Sequence, residues 1–77
     1  MNNWLEISGK LTCTFEFPDF AGAMVFVNKV ATLAEELDHH PDFHIDYKKV
    51  TLELTTHSEG KVTAKDRELA ERIDELI

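Results

Sequence analysis

Residues Phe20–Leu37, set between Pro18-Asp19 and Asp38-His39-His40-Pro41, carry their apolar side chains at helical spacing. Wound at about 100° per residue, Phe20, Ala23, Met24, Phe26, Val27, Val30, Ala31, Leu33, Ala34 and Leu37 share one arc of about 180°. Asn28, Lys29, Thr32, Glu35 and Glu36 fill the rest. Asp19 is placed to cap the helix start, and Pro41 bars continuation because the residue before a proline avoids the helical conformation. In a chain of 77 residues, one helix of this length leaves room for a single domain spanning residues 1–77. The arc is wider than one sheet contact needs. Its excess is covered either by a second helix of the same chain or by a symmetry mate.

The flanking segments read as strands. Trp4–Ile7 is a short candidate, folded back by Ser8-Gly9. In the next segment Leu11, Cys13, Phe15 and Phe17 alternate with Thr12, Thr14 and Glu16, the period of a half-buried strand. After the helix, Phe43, Ile45 and Tyr47 alternate with His44 and Asp46, then Val50, Leu52, Leu54 and Thr56 alternate with Thr51, Glu53, Thr55 and His57. Lys48-Lys49 is the expected bend between these two. Thr63-Ala64-Lys65-Asp66 has the spacing of a capping box, and Leu69, Ile73, Leu76 and Ile77 supply the apolar stripe of a closing helix. The order is β-β-α-β-β-α, an α+β fold.

Charge excludes some functions. Fifteen acidic against eight basic residues give a formal charge of -7, which repels phosphate backbones and anionic membrane surfaces. No basic segment followed by an apolar run opens the chain, and Ala23–Val27, its longest apolar stretch, falls far short of a membrane span. The single cysteine, Cys13, forbids an internal disulfide and fits the reducing cytoplasm. It lies on the apolar face of a strand, where a small core residue is expected rather than a nucleophile.

All four histidines lie between positions 39 and 57. Histidine gives and takes protons near neutral pH, and a helix C-terminus favours its protonated form. A lone histidine there would serve as a cap; a His-His pair held by a following proline suggests two positioned rings. His39, His40, His44 and His57, with Glu35 and Asp38, include the residue types that bind metals. Adjacent histidines at a helix end point about 100° apart, however, and no pair has the i, i+4 spacing of a helical zinc motif, so no metal is expected.

Glu35, three residues, His39-His40-Pro41, five residues, Tyr47, nine residues, His57, eight residues and Asp66 form a set spanning 32 residues. This set resembles the signature of the pterin-4a-carbinolamine dehydratases, also called 4a-hydroxytetrahydrobiopterin dehydratases. The resemblance implies a four-stranded antiparallel sheet with helices packed on one face. It also implies dimers or tetramers assembled through sheet edges and the 20–37 helix, whose bundle surface would include Phe26 and Val30. Many members carry an extra N-terminal helix, whereas this sequence starts almost directly with Trp4.

The implied reaction is loss of water from a 4a-hydroxytetrahydropterin to give a quinonoid dihydropterin, in recycling of a reduced pterin, with the pterin as substrate and no cofactor. His39, His40 and His57 correspond to the family's active-site histidines; His40 and Pro41 would line the pterin pocket while His39 and His57 exchange protons. Asp66 would orient a histidine as well as cap its helix. Glu35 is expected to support His39 four residues later. Tyr47 is expected to pack and His44 to lie on the surface. Two alternatives accompany this reading: a non-enzymatic dimerisation or interaction protein using the helix surface, and a pterin-related role in molybdenum-cofactor metabolism.

Overall fold

A computed structural model describes residues 4–77; residues 1–3, at the head of the expected domain, lie outside the described residues. The elements are β1 (Leu5–Ile7), β2 (Lys10–Glu16), α1 (Phe20–Leu37), β3 (Asp42–Asp46), β4 (Lys49–Leu54) and α2 (Ala64–Asp74). The strands form one antiparallel sheet in the order β1-β2-β4-β3, so the two longest strands pair at its centre.

Alternation decides which face is covered. Leu11, Cys13 and Phe15 of β2 lie opposite Leu54, Leu52 and Val50 of β4, and all six are buried against α1 and α2. The other face is open, polar along β2 and β4, where the hydroxyls of Thr14 and Thr51 are hydrogen-bonded across the strands at 2.8 Å, and carries exposed Leu5 and Ile7 on β1. α1 contributes Ala23, Phe26, Val30 and Leu33 to the core, and α2 contributes Leu69, Ala70 and Ile73. The closing helix therefore covers one flank of the wide arc. Phe26 and Val30, expected on a bundle surface, are 4% and 0% exposed because they face the sheet. Phe20 at the start of the arc remains 49% exposed, and Val25, outside the arc, 55%.

Asp19 caps α1 as expected, its carboxylate accepting from the Gly22 N–H at 2.7 Å. Ser8 and Gly9 both adopt positive φ, which lets a two-residue turn join Ile7 to its partner Lys10. The β3–β4 bend falls one residue earlier than expected. Asp46 pairs with Lys49, so Tyr47-Lys48 forms the turn and Tyr47 takes a φ of 55°. Tyr47 thus leaves the alternation: it is 65% exposed, and its ring stacks on Phe20 at 6.4 Å rather than packing in the core. β4 also ends sooner, at Leu54, and Thr56 reappears in an isolated bridge to Lys61.

Leu52 lies at the centre of this core with no exposed surface. Leu52→Ala is expected to cost about 3 kcal/mol, the usual sum of lost transfer energy and residual cavity. Urea unfolding should show a lower midpoint at an unchanged slope.

Candidate functional site

The end of α1 turns on Asp38, which adopts the left-handed conformation (φ 50°, ψ 44°) and gives its N–H to the last carbonyls of the helix. The His39 N–H also folds back, onto the Ala34 carbonyl at 3.1 Å. After this turn the two histidines diverge. The His39 side chain is 14% exposed and points inward, whereas that of His40 is 55% exposed. Pro41 is buried and directs the chain into β3.

The His39 ring meets Asp66 from the first turn of α2. Its Nε2–H donates to Asp66 Oδ1 at 2.5 Å, while Asp66 Oδ2 accepts from the Thr56 hydroxyl and the Thr63 N–H, each at 2.8 Å. The Thr63 bond is half of the capping box that the sequence predicts. Asp66 has no exposed surface. Burial works against its charge, but the hydrogen bonds from His39, Thr63 and Thr56, with the positive charge available on His39, outweigh that penalty and hold the carboxyl below its ordinary value. A buried carboxylate with three donors is a fixed acceptor, and it fixes the ring attached to it.

His57 follows Thr56 in a loop closed by the Thr56 N–H to Lys61 carbonyl bond at 3.0 Å and the Gly60 N–H to Thr56 carbonyl bond at 2.8 Å. Gly60 takes a φ of 67°, a conformation a side chain would strain. His39, His40, Pro41 and His57 together line one open cavity of about 370 Å³, with Asp38, Thr56 and Lys65 also in its lining. A larger groove of about 450 Å³ between α1 and α2, with Leu33 and Leu76 in its lining, holds no histidine. The histidines gather at the smaller one.

Glu35 does not reach His39. It accepts from His40 Nε2–H at 2.5 Å. The i, i+4 expectation assumed that the helix continues; the left-handed turn at Asp38 takes His39 off that face and returns His40 to Glu35. His44 is exposed, as expected, and donates to Glu53 at 3.0 Å. The Cys13 thiol is buried, and burial together with the nearby Asp74 charge raises its pKa, which keeps it protonated. Among the described residues, no three His, Cys, Asp or Glu side chains gather where they could hold a metal ion. The sequence does not single out Thr56 or Lys65. Thr56 fits the strand alternation, and Lys65 reads as an ordinary solvated residue of a helix first turn, so neither carries a local signal.

The cavity thus brings together three histidines, one tied to a buried carboxylate, beside a proline. Such a site can donate a proton to a leaving group and accept one from a ring nitrogen.

Comparison with known proteins places the chain in a family. The family model described as Pterin 4 alpha carbinolamine dehydratase matches residues 1–76. A relative from Sulfolobus acidocaldarius, provisionally named pterin-4-alpha-carbinolamine dehydratase, is 46% identical over 76 residues, covering 99% of this chain and 84% of the relative. One from Roseiflexus sp., provisionally given the same name, is 46% identical over 77 residues, covering 100% and 83%. The crystal structure of a transcriptional coactivator/pterin dehydratase from Brucella melitensis superposes with a TM-score of 0.88 at 37% identity, over 92% of this chain and 78% of that one. A pterin dehydratase-like RuBisCO assembly factor of the alpha-carboxysome shares the fold, with a TM-score of 0.78 at 24% identity over 97% and 87% of the two chains. With the sheet order, the histidine cavity and these matches in agreement, the chain belongs to the pterin-4a-carbinolamine dehydratase family.

Proposed function

We propose that this chain dehydrates a 4a-hydroxytetrahydropterin to a quinonoid dihydropterin and water, as one step of reduced-pterin recycling. The observation that carries the reading is the convergence of His39, His40 and His57 on one cavity, with His39 held by a buried carboxylate. The hydroxyl at C4a leaves as water after gaining one proton, and a ring nitrogen gives up one. The two transfers balance, so the site is restored without a co-reactant, and neither a metal nor a redox cofactor is called for. His39 and His57 exchange the protons, His40 and Pro41 line the wall against the pterin, and Asp66 and Glu35 orient His39 and His40 respectively. The free, buried Cys13 suits work in the cytoplasm.

Self-association accompanies this reading. Exposed Phe20 and Val25 on α1, and Leu5 and Ile7 on the edge strand β1, support a homodimer or homotetramer built through the helix and the sheet edges. The same exposed helix surface favours, as a second reading, a non-enzymatic interaction protein, and the coactivator name of the Brucella structure points the same way. The two readings separate cleanly. In a stopped spectrophotometric assay the native chain is expected to accelerate dehydration over buffer, and Phe20→Ser with Val25→Ser to leave each site's chemistry in place while lowering the molar mass measured by sedimentation. No acceleration by the folded native chain would overturn the enzymatic reading for that pterin.

A further inference from the structure

The hydrogen bonds around Asp66 fix more than its position. Each threonine hydroxyl has one proton to give, and an ionised carboxylate has none. Thr56 gives its proton to Asp66 Oδ2 at 2.8 Å, so in its 2.6 Å contact with Thr63 the Thr63 hydroxyl must be the donor. Thr63 Oγ1 in turn accepts from the Lys65 N–H at 3.3 Å. The chain therefore runs one way, from the first turn of α2 through Thr63 and Thr56 into Asp66. Its far end is His39, whose Nε2–H completes the carboxylate's set of donors.

From this polarity we infer that Thr56 is a positioning residue, whose hydroxyl fixes the orientation of the Asp66 carboxylate so that Oδ1 accepts from His39 and the ring in its neutral form keeps its proton on Nε2, leaving Nδ1 to exchange protons with substrate. Thr56 is 5% exposed and lines the histidine cavity. Through its backbone it also closes the loop that carries His57. One residue thus sets the ring state of one histidine and the placement of another. The hydroxyl serves the first task and the main chain the second, so a substitution that removes only the hydroxyl separates them.

Thr56→Val keeps the side-chain shape and the main-chain bonds. Thr56→Ser restores the hydroxyl without the methyl. The inference about His39 rests on the dehydratase reading only for its kinetic consequence, so two readouts are paired. Nitrogen NMR of the imidazole rings is expected to show His39 in the Nε2–H form in the native chain and in Thr56→Ser, and a mixture of tautomers in Thr56→Val. In the dehydration assay, Thr56→Val is expected to lose about tenfold to thirtyfold in kcat, with KM within about twofold and recovery in Thr56→Ser, the size of one lost hydrogen bond to a charged group. A native His39 protonated on Nδ1 overturns the inference even if Thr56→Val fails to fold. So does a Thr56→Val spectrum identical to the native one. Native nitrogen spectra as expected, in a chain without dehydratase activity, would uphold the ring assignment and remove the function proposed above.

Discussion

The double variant His39→Ala, His40→Ala is expected to lose about 10³-fold or more in kcat for dehydration while remaining folded. A general acid or base of this kind typically contributes 10²- to 10⁴-fold. The two rings do not act in isolation, since both line one cavity, so the double loss should fall short of the product of the single losses. Folding should survive for reasons visible at each residue. His40 is half exposed and its partner Glu35 lies on the surface, so that pair contributes little. Removal of His39 takes one donor from Asp66, but Thr56 and the Thr63 N–H remain on the other oxygen, which limits the cost to about 1–2 kcal/mol. Circular dichroism and a urea midpoint establish that the variant is folded before its rate is read. A folded variant with native kcat would leave the cavity without its proposed proton carriers and overturn their assignment.

How much of this was legible in the sequence depends on the range of the interaction concerned. The helices and strands follow local patterns, and their positions agree with the structure to within three residues, the largest departures being the ends of β4 at Leu54 and α2 at Asp74: Asp19 and Thr63 cap the two helices, and Ser8-Gly9 turns the first hairpin. Tyr47 departs because alternation continues through it, whereas cross-strand pairing of Asp46 with Lys49 decides where the turn falls. Spacing marks the candidate site residues, but it does not give their pairing. Glu35 and His39 are four apart in sequence, a spacing that implies a shared face only while the helix lasts, and a single left-handed residue at Asp38 reassigns the partner. Thr56 left no trace because a threonine in a β-alternation has an ordinary explanation. Its role emerges only when β4 and the start of α2 are brought together around Asp66.

Asp66→Asn should have the second large effect, and it acts on chemistry and stability by different routes. An asparagine keeps the size of the side chain, and its carbonyl oxygen can still accept from Thr56 and from the Thr63 N–H. The amide nitrogen then faces His39, so the ring must accept at Nε2 and carry its proton on Nδ1. The proton-exchanging nitrogen is thereby exchanged for the wrong one, and kcat is expected to fall by about 10³-fold or more, the scale seen when an orienting aspartate is replaced by asparagine beside a catalytic histidine. Stability shifts with pH in a defined direction. The folded-state pKa of Asp66 lies below the ordinary 3.8, so its ionised form stabilises the fold above that pH, and the contribution is lost as pH falls through the depressed folded value. Asparagine has no such charge to lose. The difference in unfolding free energy between native chain and variant should therefore be greatest at neutral pH and shrink below pH 3.8, as urea unfolding at a series of pH values would show. A difference independent of pH down to about pH 2 would mean that Asp66 is no more acidic in the folded chain than in the unfolded one. The hydrogen bonds converging on it would then not be holding its charge.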